Sequence, residues 1–242
     1  MKNIRRKLIG SSAAVLCAVT AVAGGARVSK KAAEDAIPVL AADFGEMPII
    51  VLDAGHGGAD GGCVSVDGTP EKGINLDILL KLRDMLEVSG YDVRVTRDTD
   101  TSIHDSGIEG LAAQKSSDMD NRLAIFNESS NAVCISIHQN QFTQPQYSGA
   151  QMFYSETNRG SESLARAMQE SFRKYLQPEN EREIKKCGKE LFLCYFSENP
   201  TIMVECGFLS NPEEAALLET DEYRTKVAFT IYAGISDYLN EK

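Results

Sequence analysis

Basic residues are scarce in this sequence and are hardly clustered. The 242 residues include 25 Lys and Arg against 35 Asp and Glu, which gives a formal net charge of −10. Four basic residues lie in the first seven positions, and without them 21 basic residues remain against 35 acidic ones, a net charge of −14. Beyond that N-terminus the only basic clusters are Lys30-Lys31 and Lys185-Lys186. Such a surface repels polyanions, so we expect no nucleic-acid binding through counterion release.

The sequence also lacks an even set of cysteines. Of the six cysteines, Cys17 lies in the N-terminal apolar stretch, which leaves five in the rest of the chain. An odd number argues against a complete disulfide framework, and the apolar share of 43% is large enough for a core without one. Cys187 and Cys194 flank a short apolar segment, so they are a candidate pair whose geometry the sequence leaves open.

The N-terminus resembles an export signal. Lys2, Arg5, Arg6 and Lys7 precede an apolar stretch that runs to about Ala23. This pattern fits a cleaved signal peptide and also a membrane anchor, because its length is near the lower limit of about 17 residues for a span. We predict a signal peptide or anchor over 1–25, an exposed linker over 26–47 and a single domain over 48–242 that works outside the cytoplasm.

The domain alternates between strand-like and helix-like patterns. This predicts an α/β fold with a twisted, mostly parallel sheet of about six strands flanked by about five helices. The expected strands cover 49–53, 92–96, 133–138, 150–154 and 191–195, with a sixth that ends at Glu205. The expected helices cover 74–87, 121–129, 162–176 and 221–240, with a fifth that starts at Asn211-Pro212. The polar stretch 98–118 is long for a connection, and either a lid or a flexible insertion fits it.

Only three histidines occur, and two of them follow apolar runs. His56 stands in Asp-Ala-Gly-His-Gly-Gly and His138 in Ser-Ile-His-Gln-Asn, while Glu205 ends the run Ile-Met-Val-Glu. Glu71 lies in a turn-rich stretch just before the first helix. Because ligands bind beyond the carboxyl ends of strands in open α/β sheets, these side chains are expected to meet at one rim. Neutral imidazole is the commonest side-chain metal ligand and a catalytic zinc needs about three protein ligands, so the set predicts a zinc hydrolase site.

Each candidate also has a plainer interpretation. Glu71 suits the positive end of a helix, and His104 is best explained as a solvated loop residue. Asp53 fits either the orientation of a ligand imidazole or a strand-end turn. Glu205 is harder to explain without function, because a carboxylate in a buried strand is costly unless a metal, a hydrogen-bond network or catalysis offsets the cost. The glycines around His56 do not have the spacing of a nucleotide-binding loop.

Several motifs in order resemble one enzyme family. They are Asp-Ala-Gly-His-Gly-Gly, Glu-Lys-x-Ile-Asn-Leu, Val-Thr-Arg, Asn-Arg, Ser-Ile-His-x-Asn, Gly-Ala-Gln-x-Phe-Tyr and Val-Glu-x-Gly-Phe-Leu-Ser-Asn-Pro-Glu-Glu-Ala. Over about 49–239 the chain resembles the zinc-dependent N-acetylmuramoyl-L-alanine amidases of type 3. The resemblance implies Zn²⁺ ligands at His56, Glu71 and His138 and a catalytic acid/base at Glu205. Gly73 and Gln139 depart from the usual pattern beside the ligands, which bears on substrate preference.

A finer resemblance concerns biological role. The single domain without wall-binding repeats, and Ser-Gly-Ala-Gln-Met-Phe-Tyr at 148–154, are similar to the germination-specific amidases of spore-forming bacteria. This implies a peptidoglycan substrate, formation of the muramic lactam of the spore cortex, work in the forespore intermembrane space and help from an exported activator protein. Two alternatives stay open: a zinc peptidase that acts on the stem peptide, and a non-catalytic wall-binding or regulatory module.

Overall fold

The computed structural model describes residues 47–241. The predicted signal segment over 1–25, and the predicted linker over 26–47 apart from Met47, lie outside the described residues. Pro48–Lys242 form one compact unit. Within the described part, none of the helices combines the length and the hydropathy that a bilayer span requires.

The described residues form six strands and six helices in one sheet-and-helix unit. The strands are β1 (Ile49–Ala54), β2 (Val93–Val95), β3 (Ala132–Asn140), β4 (Gln151–Tyr154), β5 (Lys185–Lys186) and β6 (Thr201–Phe208). The helices are α1 (Glu71–Val88), α2 (Leu111–Phe126), α3 (Ser161–Tyr175), α4 (Phe192–Phe196), α5 (Pro212–Leu218) and α6 (Asp221–Asn240). This confirms the predicted α/β class.

The sheet has the strand order β2-β1-β3-β6-β4-β5. All neighbouring pairs are parallel except β4 and β6, which run antiparallel. Helices α1, α3 and α6 cover one face with the larger hydrophobic cluster, whereas α2 and α4 cover the other with a cluster of only five buried residues. Because side chains alternate between faces, Cys134, Ser136 and His138 of β3 all point to this second, thinly covered face. A cavity can therefore form there.

The apolar stripe predicted for α1 and the helix start predicted at Asn211-Pro212 are both present in the structure. In α1, Ile78, Leu82 and Leu86 are fully buried along one stripe. The side chain of Asn211 accepts hydrogen bonds from the backbone N–H groups of Glu213 and Glu214, and Pro212 is the first residue of α5. Helix α1 begins three residues earlier than predicted, at Glu71, and Pro70 before it has the extended backbone of an N-cap residue.

Three predicted elements were wrong. The helix expected over 121–129 is α2, which already starts at Leu111 and so includes the end of the stretch 98–118 that was taken for an insertion. The buried face of α2 is largely polar, so the first half of the helix shows no apolar periodicity. The strand expected over 191–195 is the short helix α4, since a short apolar run is equally compatible with a buried helix. The strand expected to end at Glu205 continues to Phe208.

The candidate disulfide is not formed. All five cysteines of the described residues are free thiols. The thiol of Cys194 instead donates to the carbonyl oxygens of Phe153, at 3.5 Å, and Thr201, at 3.8 Å.

Candidate metal centre and active site

The four predicted site residues come from four different elements. His138 of β3 and Glu205 of β6 are directly opposite one another in the parallel pair. His56 follows the end of β1 by two residues, and Glu71 is the first residue of α1. His138 and Glu205 thus lie within their strands, short of the carboxyl ends where they were expected. They still reach the site because both point to the thinly covered face of the sheet.

His56, Glu71 and His138 converge on one point. Their potential ligand atoms all lie within 4.8 Å of one another. Glu71 bridges the two imidazoles: its Oε2 is 3.3 Å from His56 Nε2 and its Oε1 is 3.0 Å from His138 Nδ1. Ligand atoms around a tetrahedral zinc with bonds of 2.0–2.1 Å are about 3.3 Å apart. The three side chains are therefore close enough together to hold one metal ion.

Glu71 is fixed as an ionised carboxylate. It is 2% exposed, and its oxygens accept hydrogen bonds from the backbone N–H groups of Cys63 and Gln139, both at 2.9 Å, and from the Asn75 amide at 3.1 Å. Burial on its own raises the pKa of Glu71, but hydrogen bonds and charges from His138 and His56 outweigh it and hold that pKa well below its usual range. Glu71 is therefore negatively charged at neutral pH.

His56 is held on both sides of its ring. Its backbone has a φ of 65°, in the left-handed region, and its carbonyl accepts a hydrogen bond of 2.8 Å from Arg122 Nη2. Nδ1, the nitrogen turned away from Glu71, lies 3.1 Å from Asp60 Oδ2. Burial opposes ionisation of Asp60, but Lys115 and His56 lower its pKa to about 2. Asp60 therefore orients the imidazole, a role that the sequence analysis considered for Asp53.

Two glycines make the convergence sterically possible. A Cβ on Gly55 would lie 2.1 Å from Cε1 of His138, and a Cβ on Gly62 would lie 2.6 Å from Oε2 of Glu71. Gly62 also has a φ of +72°, which an L side chain adopts only with strain. Both positions must lack a side chain for the three candidate ligands to meet.

Arg122 fixes the backbone at the end of β1, next to the site, a role that the sequence analysis missed. Its guanidinium binds Asp53 Oδ1 and Asp118 Oδ2, both at 2.6 Å, and donates to the carbonyl of Ala54 at 2.8 Å as well as to that of His56. Asp53 also accepts hydrogen bonds from the hydroxyls of Thr96 and Ser136. Asp53 thus anchors Arg122 and does not contact the imidazole of His56. The four-residue spacing of Asp118 and Arg122 is the signal that would have found this pair.

Glu205 has a buried carboxylate oxygen that is free to react. Its Oε2 has no hydrogen-bond partner within the part of the chain that the structure describes. Burial raises its pKa to about 7, and the charge of Glu71 adds to that rise while His138 and His56 oppose it. Glu205 lines a cavity of about 360 Å³ together with His56, His138 and Met203. A carboxylate with one unpartnered oxygen thus lines the same cavity as the two imidazoles.

The third histidine stays outside this cluster. His104 lies in the loop after β2, where its Nδ1 is 2.8 Å from the hydroxyl of Ser102. This agrees with its interpretation as a loop residue.

Several known proteins that resemble this chain are amidases. A family model described as N-acetylmuramoyl-L-alanine amidase matches residues 50–237. The germination-specific N-acetylmuramoyl-L-alanine amidase of Bacillus subtilis (strain 168) is 38% identical over 194 residues, which are 80% of this chain and 81% of that protein. The CwlD amidase of Clostridioides difficile, solved in complex with the GerS lipoprotein, superposes with a TM-score of 0.77 at 38% identity, over 81% of this chain and 100% of that one.

A second solved structure agrees. The crystal structure of N-acetylmuramoyl-L-alanine amidase from Clostridium difficile 630 has a TM-score of 0.70 at 29% identity, and the match covers 82% of this chain and all of that one. The family match includes all or most of every strand and helix, and all four candidate site residues. This chain is therefore an enzyme that belongs to the N-acetylmuramoyl-L-alanine amidase family.

Proposed function

We propose that this chain is a zinc-dependent hydrolase of the amide bond between N-acetylmuramic acid and L-alanine in peptidoglycan. The observation that carries the proposal is the convergence of two imidazoles and one ionised carboxylate within 4.8 Å, beside the unpartnered carboxylate oxygen of Glu205. Burial of a carboxylate oxygen without a hydrogen-bond partner costs free energy, so a purely structural role does not explain Glu205. A reaction that uses it accounts for that cost.

The donor set fits zinc. His56, Glu71 and His138 would hold the ion through two nitrogens and one oxygen, which are ordinary zinc ligands, and three protein ligands leave one position open for catalysis. Asp60 would set the ring orientation of His56 from outside, as carboxylates commonly do for ligand imidazoles. When bound, zinc supplies Lewis-acid chemistry, in which it polarises a carbonyl and acidifies a water molecule.

Glu205 is proposed as the proton carrier of the reaction. In its ionised form it accepts a proton from the attacking water, and a new C–O bond forms at the lactyl carbonyl carbon. It then delivers that proton to the L-alanine nitrogen as the C–N bond breaks. The products are a free lactyl carboxylic acid on the glycan and an intact stem peptide with a free amine, so atoms and protons balance.

The test uses purified protein, defined muropeptides and added zinc. Glu205→Gln should keep the zinc and lose turnover by about 10²- to 10⁴-fold, which is the usual contribution of general acid–base catalysis. Glu71→Ala and His138→Ala should lose the zinc itself, whereas His104→Ala, which removes the histidine outside the cluster, should retain both zinc and activity. A Glu205→Gln protein that releases peptide at the wild-type rate would exclude this role.

The products separate the proposal from a stem-peptide peptidase. Mass spectrometry should find glycan freed of its whole peptide, and peptides that begin with L-alanine. A peptidase would leave L-alanine on the muramic acid. The non-catalytic wall-binding module is set aside by membership of an enzyme family. Loss of turnover in chelator would agree with that, because a binding module is indifferent to metal.

The proposed biological role is maturation of spore cortex peptidoglycan. Support comes from the similarity to a germination-specific amidase and to an amidase that was solved with a lipoprotein partner. We propose a catalytic domain over 48–242 that is exported by segment 1–25, works outside the cytoplasm and uses an exported activator. Deletion of the gene should remove muramic lactam from the cortex while vegetative wall composition stays unchanged.

A further inference from the structure

A second cavity is lined by residues of β3, β4, β5 and β6 and of the loops that follow β3 and precede β5. We call it the aromatic–cationic pocket. It has a volume of about 360 Å³, and its eight lining residues include Phe142, Tyr147, Gln151, Arg182, Lys185 and Phe208. None of the eight is acidic. The reaction described above uses none of them.

The register of the sheet shows how close the pocket lies to the active site. Glu205 is opposite His138 on one side and opposite Gln151 on the other, so these three residues form one row across β3, β6 and β4. Opposed residues point to the same face, and neighbouring strands are about 4.8 Å apart. The pocket therefore begins about one strand spacing from the carboxylate of Glu205.

Arg182 is held in place by uncharged groups. Its Cζ lies 4.5 Å from the ring centroid of Phe208 and 5.8 Å from that of Tyr147. Its Nε donates to the carbonyl of Ser148 at 2.6 Å, and its Nη1 to Oε1 of Gln151 at 3.3 Å. These contacts orient the guanidinium without neutralising it.

Neither cation of the pocket forms an ion pair with any of residues 47–241. The carboxylate of Glu214, which acts on Arg182 at longer range, is occupied by the backbone N–H groups of Gly149 at 2.9 Å and Phe208 at 2.8 Å. Lys185 Nζ lies 6.0 Å from the ring centroid of Phe153. In a chain of net charge −10, two cations without a carboxylate partner beside an active site indicate an anionic ligand.

We propose that the aromatic–cationic pocket binds the stem peptide of the substrate and that Arg182, assisted by Lys185, binds the free carboxylate of its second residue. This inference rests on the proposed function. In the uncleaved substrate the lactyl carboxyl of muramic acid is consumed in the scissile amide, and N-acetylated sugars are neutral. A carboxylate near the scissile bond therefore belongs to the peptide. Because the carboxyl group of L-alanine is itself consumed in a peptide bond, the second residue is the first that can carry a free carboxylate.

The length of the stem peptide up to its second residue, and the apolar side chains around Arg182, agree with this assignment. An extended chain advances by at most about 3.6 Å per residue, so the second residue lies about 7 Å from the scissile bond, beyond the first strand spacing. Phe142 and Tyr147, which are 51% and 41% exposed, form an apolar wall at the mouth of the pocket. Such a wall lowers the local dielectric and strengthens the attraction between guanidinium and carboxylate. The fork of an Arg side chain also matches a carboxylate geometrically.

The test compares two muropeptides that differ at one group, with a free carboxylate or a carboxamide on the second residue of the stem peptide. The wild-type enzyme, loaded with zinc, should cleave the free acid with a kcat/KM about tenfold to a hundredfold higher. Arg182→Gln should reduce that ratio to near one, Arg182→Lys should give an intermediate ratio, and Lys185→Gln should lower it less. The ratio of the two kcat/KM values reports recognition of the carboxylate alone, because a structural defect in the enzyme would slow cleavage of both substrates equally.

Arg166→Gln is the matched control, since Arg166 is an exposed residue of α3 that pairs with Glu162. It should keep the wild-type ratio. Equal kcat/KM for the two substrates in the wild type, or an Arg182→Gln ratio that matches the ratio of the control, would overturn the inference while the proposed reaction stands. Failure of the zinc-loaded wild type to cleave either muropeptide would overturn the proposed function and this inference with it.

Discussion

Asp60 and His56 are joined on the side of the imidazole that faces away from Glu71. Asp60 Oδ2 is 3.1 Å from His56 Nδ1, while His56 Nε2 is 3.3 Å from Glu71 Oε2. Lys115 holds Asp60 in turn, with Nζ at 3.0 Å from the same carboxylate oxygen. The orientation of the candidate ligand thus depends on a residue that would not itself touch the ion.

Asp60→Asn should weaken zinc binding about 10- to 100-fold, because loss of such an outer partner lowers ligand basicity and frees the ring. Competition with a chromogenic chelator measures the affinity. Asp67→Asn is the control: it removes the same charge from the same loop region at an exposed position. Equal affinities for the two variants would show that Asp60 does not support the ligand.

Gly55→Ala should abolish zinc binding, since the new Cβ would meet the His138 ring at 2.1 Å and either the ring or the strand end must move. Gly73→Ala adds the same methyl group at a position of α1 with nothing within 4 Å. It should leave the zinc content unchanged and raise stability by up to about 1 kcal/mol, because alanine favours a helix. Zinc analysis and thermal unfolding of both variants test this. A Gly55→Ala protein with full zinc would contradict the packing argument.

Three members of the candidate site could be predicted from the sequence because they follow or end apolar runs. His56, His138 and Glu205 each stand out where a strand pattern meets a polar residue, and the topology of the sheet brings such positions together. The partners of these residues were harder to find. Asp60 lies in a glycine-rich loop without periodicity, and its contact with His56 depends on a left-handed backbone at that histidine.

The errors in the fold have a physical cause too. Helix α2 buries Ser117, Asp118, Arg122 and Phe126, so its inner stripe consists mainly of polar and charged residues. The four-residue spacing of a helix is present, but a salt bridge replaces the apolar contacts that pattern analysis looks for. Helix α4 was mispredicted for the opposite reason. Its five residues are apolar enough for a buried strand and too few to show a helical period.

Asp53→Asn should destabilise the fold by about 3–5 kcal/mol, because it leaves the Arg122 guanidinium, of which 2% is exposed, without one of its two carboxylates. Denaturant unfolding in the presence of a chelator measures this without a contribution from bound metal. Asp84→Asn removes the carboxylate of the exposed pair with Arg83 and should cost less than about 1 kcal/mol. Equal losses for the two variants would mean that burial of the Asp53–Arg122 pair has no energetic consequence.

The stability difference between the wild type and Asp53→Asn should shrink in acid. Burial alone would raise the pKa of Asp53, but the charges of Arg122 and His138 and the hydroxyls of Ser136 and Thr96 hold it below its ordinary value of 3.8. Below pH 3.8 the unfolded chain binds a proton that the folded chain excludes, so the wild type loses free energy of unfolding as the pH falls through this window. The side-chain amide of the variant does not titrate. Unfolding free energies from pH 6 to about pH 2 should therefore converge, and a constant difference over this range would show that Asp53 does not ionise with a lowered pKa.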